Sequence, residues 1–256
     1  MSNVPDFDLS GKVAVVTGGS RGLGKEMVLA FAHKGADVVI SSRKAEACEA
    51  LAAQVREETG REALAHACHV GDWDACDALV DAANERFGRI DVLVNNAGMS
   101  PRYASLPEVS EALWDKVLDV NLRGPFRLSA RVGAQMAEGD GGSILNISSV
   151  AAVSPSPIEV PYAAAKAGLN NLTLSLARSY APKVRVNCIM PGPFLTDIAE
   201  AWSDEMKAAL ARMVPLGRGG EADEIVGAAL FFASEASSFT TGAVLKIDGG
   251  AAVPAA

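Results

Sequence analysis

Cysteine is scarce in this chain and badly spaced for chemistry. The 256 residues hold four, Cys48, Cys68, Cys76 and Cys188, and no pair has C-x-x-C spacing. The three histidines, His33, His66 and His69, complete no metal-ligand pattern. His66, Cys68 and His69 cluster, but strand alternation is expected to turn Cys68 to the face opposite His69. No metal site is therefore expected, and the thiols read as reduced and mostly buried. Positive charge is also short. Lys and Arg number 23 against 31 Asp and Glu, a net charge of −8, which argues against a broad nucleic-acid footprint. A local phosphate pocket stays open, because it needs one or two basic residues at most. No apolar run approaches the ~20 residues of a membrane span, and residues 1–12 show no signal-peptide pattern. A soluble, cytoplasmic protein with no nucleic-acid or membrane partner is expected. Internal repeats, low-complexity tracts and domain boundaries are missing too, so residues 1–256 are expected to form one domain.

What is present is ample apolar material, 49% of residues, arranged in a regular alternation. Residues 12–17, 36–41, 63–70, 90–95, 142–148, 184–190 and 244–248 are short apolar runs that read as strands. Residues 22–34, 45–59, 72–87, 110–121, 125–136, 162–180 and 221–233 carry helical patterns between them. In the first of these, Leu23, Met27, Ala30 and Phe31 recur at helical spacing. Strands that are apolar throughout and alternate with helices imply a parallel sheet covered on both faces. The expected fold is a doubly wound α/β sheet of the Rossmann type. The longest irregular piece is 191–215, and an ordered loop of that length reads as a functional lid over about 193–215.

The first strand runs directly into Thr17-Gly18-Gly19-Ser20-Arg21-Gly22-Leu23-Gly24, and a helix follows. Glycines allow a tight turn and a close approach of phosphate, and a helix N-terminus offers free N–H groups. The spacing is neither G-x-G-x-x-G, which Met27 breaks, nor a P-loop. Its position after the first strand of an α/β chain points to a dinucleotide, held by Gly18, Ser20, Arg21, Gly22, Leu23 and Gly24. The second strand ends in Ser41-Ser42-Arg43, where an NAD site would want a carboxylate for the ribose 2′-OH. Ser42, Arg43 and Arg21 suit a 2′-phosphate instead, so NADP(H) is the expected cofactor.

Tyr162 and Lys166 stand four apart on a predicted helix, which puts them on one face, and Ser149 lies upstream. A tyrosine titrates near 10, and an ammonium one turn away is expected to lower that value. A nearby serine hydroxyl can hold a substrate oxygen. A Tyr-x-x-x-Lys pair by itself reads by default as an ordinary surface pair.

Thr17-Gly18-x3-Gly22-Leu23-Gly24, Asn95-Asn96-Ala97-Gly98, Asn121, Ser149, Tyr162-x3-Lys166 and Pro191-Gly192-x3-Thr196 occur in that order. The ordered set resembles the classical short-chain dehydrogenases/reductases over about residues 9–250, and Lys246-Ile247-Asp248-Gly249-Gly250 is similar to that family's C-terminal segment. The resemblance implies hydride transfer between NADP(H) and a carbonyl or secondary alcohol, with reduction favoured. It implies that Tyr162 is the acid or base, that Ser149 orients the substrate oxygen, and that Lys166 binds the nicotinamide ribose. It implies that Asn121 interrupts its helix and holds a water linking Lys166 to solvent. Asn96, Ala97 and Gly98 would lie beside the adenosine ribose. Pro191, Gly192, Phe194 and Thr196 would face the nicotinamide. Two positions depart from the family pattern. His69-Val70 replaces an acidic residue and its hydrophobic partner, leaving Val70 as a packing or backbone contact, and Ala152 stands where glycine is frequent. Ser148 competes with Ser149, since adjacent strand residues face opposite ways. Pocket candidates are Ser100, Arg102, Tyr103, Val150, Ser154, Glu159, Phe194, Ile198 and Trp202. They leave a 3-oxoacyl thioester, a sugar or polyol, and a steroid-like or xenobiotic ketone all open as substrates. The family commonly forms tetramers, and a homo-oligomer (tetramer or dimer) is expected. A dinucleotide-binding sensor without catalysis is the alternative, but such a chain would typically lack one of Asn121, Ser149, Tyr162 and Lys166.

Overall fold

The computed structural model describes residues 7–195 and 204–252. Thr196, Ile198 and Trp202, three residues expected near the ligand, lie outside them. Seven strands form one parallel sheet: β1 (Val13–Thr17), β2 (Asp37–Ser42), β3 (Ala63–Ala67), β4 (Val92–Asn95), β5 (Gly142–Ile147), β6 (Val184–Pro191) and β9 (Val244–Ile247). Their order is β3-β2-β1-β4-β5-β6-β9. The order reverses between β1 and β4, which pair with Val15 opposite Leu93, so a crevice opens beyond the carboxyl ends of those two strands. Two short strands, β7 (Phe194–Leu195) and β8 (Gly220–Glu221), pair separately.

Side-chain alternation explains why the central strands carry apolar residues toward both faces. Ala14, Val16, Val38, Ile40, Val92, Val94 and Leu145 enter one buried cluster. That face is covered by α1 (Gly22–His33), α2 (Ala45–Thr59) and α8 (Val226–Ala233). Val13, Val15, Val39, Leu93 and Ile144 enter a second cluster. There α3 (Trp73–Phe87), α5 (Gly124–Glu138) and α6 (Val160–Tyr180) cover the sheet. Asp72 caps α3 by accepting from the Ala75 N–H at 2.9 Å.

Four expectations need correction. The third strand stops at Ala67, three residues early, because Cys68, His69 and Val70 turn out of the sheet toward α3. The stretch 191–215 is not irregular throughout: it contains β7 and a helix, α7 (Asp204–Met213). Near the C-terminus, 221–233 begins as a 3-10 turn, Ala222–Ile225, fixed by a capping box between Glu221 and Glu224, before α8 starts. Helix α4 (Glu111–Leu118) also does not end at Asn121; it passes through a π-helical turn, Asp119–Arg123, directly into α5.

Candidate active site

The glycine turn after β1 packs directly on the chain leaving β4. A Cβ at Gly24 would lie 2.3 Å from the Gly18 carbonyl oxygen, so no larger residue fits there. The Asn96 side-chain amide donates to the carbonyls of Thr17 at 2.9 Å and Gly18 at 3.1 Å. Thr17 Oγ1 in return accepts from the Asn96 and Ala97 N–H groups at 3.1 and 3.2 Å. These bonds lock the two loops that flank the crevice. Helix α1 starts inside it with an unusual end. Arg21 at its N-cap makes no side-chain capping bond, and no acidic residue occupies the first turn. The orphan N–H groups and the positive dipole end face an external anion unopposed.

A cleft of about 470 Å³ occupies this position. Of the residues expected around a dinucleotide, Gly18, Ser20, Arg21, Gly22, Leu23, Gly24, Ser42, Arg43, Val70, Asn96, Ala97 and Gly98 all line it. Ser20 and Ser42 join across it by a 3.0 Å hydroxyl bond. Arg21 and Arg43 are exposed, and among the described residues neither guanidinium has a hydrogen-bond or ion-pair partner. Lys44, Ala47, Cys68, His69, Met99 and Val120 also line the cleft and were not anticipated. Lys44 had a legible signal, as the next basic residue after Arg43. Cys68 and His69 were expected on opposite faces. Both line the cleft, because β3 has ended before them and strand alternation no longer applies. His69 turns inward locally, its Nδ1 accepting from the Gly71 N–H at 3.2 Å.

The cleft's inner end meets α6. A Cβ at Gly98 would stand 3.0 Å from Asn121 Oδ1 and 3.6 Å from Lys166 Nζ. Asn121 is fully buried. Its side-chain amide donates to the carbonyls of Met99 and Val117, both at 2.9 Å, and its Oδ1 accepts from the Met99 N–H at 3.2 Å. Val117 O is the acceptor that the Asn121 backbone N–H would use in an α-helix. The side chain takes it instead, which accounts for the π-helical turn.

Tyr162 and Ser149 meet at the start of α6. Ser149 Oγ accepts from the Ala151 N–H at 3.1 Å, and its hydroxyl stands near enough to the Tyr162 phenol to favour the phenolate. Ser148 donates instead to the Lys166 carbonyl at 3.2 Å. Burial pushes the Tyr162 hydroxyl up to about 12; the Ser149 hydroxyl opposes that rise and the Glu159 carboxylate adds to it. Glu159 is itself held above the usual carboxylate range by burial. Lys166 does not lower the tyrosine as its sequence spacing suggested. Its Nζ donates to the Ile147 carbonyl at 2.7 Å and sits 5.6 Å from the centre of the Tyr162 ring. Burial brings its own pKa down to about 8. Desolvation is the largest cause at both groups.

Pro191, Gly192 and Phe194 do not line the cleft. Pro191 is the last residue of β6 and Phe194 opens β7; between them the Gly192 N–H bonds Ile247 O at 2.8 Å and a Cβ on Gly192 would meet Asp248 at 2.5 Å. Tyr103 ties the loop after β4 to α6, accepting from the Val160 N–H and donating to Pro157 O, both at 2.8 Å. A buried polar chain behind the site had no sequence signal. Asn95 bonds Ser129 and Asn146, and Asn146 bonds Thr173, each at 2.9 Å. Among the described residues no cluster of metal-ligating side chains forms and no helix is long and apolar enough to cross a membrane.

A family model described as enoyl-(acyl carrier protein) reductase matches residues 18–252. The chain is 42% identical over 247 residues to the D-threitol dehydrogenase of Mycolicibacterium smegmatis, covering 96% of this chain and 94% of that one. It is 41% identical over 245 residues to a 3-oxoacyl-[acyl-carrier-protein] reductase of Chlamydia trachomatis, covering 95% and 98%. The crystal structure of an NADPH-dependent 3-quinuclidinone reductase from Rhodotorula rubra superposes with a TM-score of 0.90 at 30% identity, covering 98% of this chain and 97% of that one. With this fold and this likeness along nearly its whole length, the chain belongs to the short-chain dehydrogenase/reductase family, NAD(P)-dependent oxidoreductases of carbonyl and alcohol groups.

Proposed function

We propose that this protein is an NADPH-dependent carbonyl reductase in which Tyr162 delivers the proton. The observation that carries this reading is the Tyr162 phenol. It is buried beside the Ser149 hydroxyl, and burial pushes its pKa up to about 12. A phenol in that state is a proton donor across the physiological range, which suits reduction better than oxidation. Ser149 and Tyr162 both hydrogen-bond the carbonyl oxygen as negative charge grows on it, and that bonding is stronger in the transition state than in the ground state. Lys166 and Asn121 position this end of the site, with Lys166 available to the nicotinamide ribose.

The chain's own residues fit the cofactor. The α1 N-terminus is uncapped, and the exposed Arg21 and Arg43 flank it without partners. When bound, the nicotinamide cofactor supplies the hydride. Two exposed guanidiniums and the Ser20–Ser42 hydroxyl pair at the end of β2, with no carboxylate among Ser41, Ser42 and Arg43, favour a 2′-phosphate. The segment 193–215 acts as the substrate lid, and residues 1–256 act as one domain. A homo-oligomer is supported by apolar side chains left exposed on α5, α6 and the edge strand β9: Phe126, Leu174, Val244 and Leu245.

The test is NADPH oxidation across ketoses, 3-oxoacyl thioesters and bulky ketones, the first two being the product or substrate classes of the relatives named above. Turnover of at least one class, lost in Tyr162→Phe while NADPH still binds, is expected. A folded protein that binds NADPH, turns over none of them and is indifferent to Tyr162→Phe would leave the dinucleotide-binding sensor as the reading.

A further inference from the structure

Cys68 ends one side and Cys76 stands on the other side of the connection His69-Val70-Gly71-Asp72, of which His69 and Val70 line the cleft. Both sulfurs belong to the same buried cluster. Each lies against the backbone next to the other cysteine. Cys68 Sγ contacts the carbonyl of Ala75 at 3.4 Å, and Cys76 Sγ contacts the carbonyl of Val70 at 3.3 Å. The mutual influence of the two neighbouring thiols lowers the Cys68 thiol below its ordinary value and raises that of Cys76. The environments differ in a second way. Cys68 lines the open cleft, whereas Cys76 is completely enclosed behind it. Reactivity follows thiolate character and access, so Cys68 is the attacking sulfur and Cys76 the resolving one. Cys48 and Cys188 are also fully buried and do not line the cleft, so they serve as internal controls.

We propose that Cys68 and Cys76 are a peroxide-sensitive dithiol that closes to a disulfide across the adenosine end of the cleft and expels the dinucleotide. The Cys68 thiolate attacks one oxygen of a hydroperoxide, the O–O bond breaks, and a sulfenic acid and an alkoxide or hydroxide result. Cys76 then attacks the sulfenic sulfur and releases water. Two thiols are oxidised by two electrons in total, and the peroxide is reduced. The S–S bond needs sulfurs about 2.05 Å apart and Cβ atoms about 3.8 Å apart. Meeting that geometry draws the first turn of α3 toward the end of β3 and displaces Val70 and His69 from the cleft wall. The connection is stiff at its far side, because a Cβ at Gly124 would already lie 2.0 Å from Val70 O. Displacement of this wall therefore goes into the cleft rather than into α5. A bound dinucleotide covers Cys68 and opposes closure; by linkage the two effects are equal.

This inference rests on the cleft being the cofactor's seat, and the experiment separates the two. Reduced protein is exposed to hydrogen peroxide, the peroxide is removed with catalase, and peptides are mapped by mass spectrometry without reduction. The NADPH dissociation constant is measured by fluorescence before and after, then again after dithiothreitol. A Cys68–Cys76 cross-link is expected, with the dissociation constant raised at least tenfold and restored by dithiothreitol. Prior saturation with NADP⁺ should slow cross-linking and raise the pair's reduction potential by about 30 mV for a tenfold effect. In Cys76→Ser, dimedone should label Cys68 and no cross-link should form. No cross-link in the wild-type protein, a bond to Cys48 or Cys188 instead, or a cross-linked protein that binds NADPH unchanged overturns the proposal. Reduced protein that binds no dinucleotide overturns it together with the cofactor reading.

Discussion

Replacing Lys166 with methionine should stabilise the protein while abolishing its chemistry. The Lys166 side chain is fully buried, and its pKa falls from 10.5 to about 8. The unfolded chain keeps its proton to about pH 10.5 and the folded chain releases it near 8, so the unfolded state binds more protons in between. Wild-type stability therefore gains with rising pH across that window, and below it the full cost of burying the ammonium is present. That cost is on the order of 3 kcal/mol. Against it stands the 2.7 Å bond from Nζ to Ile147 O, which a methionine cannot make, and whose loss takes back on the order of 1–2 kcal/mol. Lys166→Met should then be more stable than wild type by about 1–2 kcal/mol at pH 7. The difference should shrink by about 2 kcal/mol by pH 10, crossing zero on the way. Staying at or below pH 10 avoids the neighbouring Cys188 thiol, which burial pushes up to about 11. The assay is guanidinium unfolding of both proteins at one protomer concentration, at pH 7, 8, 9 and 10. Carbonyl reduction by the variant should fall about a thousandfold or more. A variant less stable than wild type at pH 7, or a stability gap that does not move between pH 7 and 10, would refute the assignment of a buried, strained ammonium.

Arg43→Ala should raise the NADPH dissociation constant tenfold or more, and that for NADH less than twofold, in fluorescence titrations; equal effects on both cofactors would count against a 2′-phosphate at Arg43. Gly24→Ala places a Cβ 2.3 Å from the Gly18 carbonyl. It should cost about 1–3 kcal/mol of stability in denaturant unfolding and abolish dinucleotide binding, since backbone rather than a flexible side chain must move. Ser149→Ala should lower kcat about a hundredfold with little change in unfolding midpoint, whereas Ser148→Ala, which loses only its bond to Lys166 O, should cost about 1 kcal/mol and leave kcat within a few-fold.

Most of the sheet was legible before any coordinates, because a parallel sheet covered on both faces demands short runs that are apolar on both sides. Val13 to Val16 and Val38 to Ile40 show the pattern, splitting alternately between two cores. Strand ends were less legible. Residues 68–70 remain moderately apolar after leaving the sheet, since they line a cleft wall instead, and composition does not separate the two. Helix α7, Asp204–Met213, was hidden because it lies between Trp202 and Pro215 in a stretch that read as one long loop, although its residues are amphipathic. The glycine turn, Ser42-Arg43 and the Ser149, Tyr162 and Lys166 series were visible because their chemistry depends on residue type and on local spacing. Lys44, Met99 and Val120 were not, because ordinary residues reach the cleft only through the crossing of distant segments.

The boundary between sequence and tertiary structure runs through the Tyr162–Lys166 pair. Spacing by four decided that both side chains start from one face of one helix, and that much is local geometry. Spacing also suggested that the ammonium would lower the phenol, as it would for a pair in water. The fold decided otherwise. It buried both groups, turned Nζ to the Ile147 carbonyl and set Glu159 beside the phenol. The cost of desolvating a charge then set the direction of both shifts. The sequence alone determined which residues could exchange a proton and in what order they occur along the chain. The protonation state each one holds depends on the surrounding dielectric and on partners brought from β5 and the loop before α6, and tertiary structure alone supplies those.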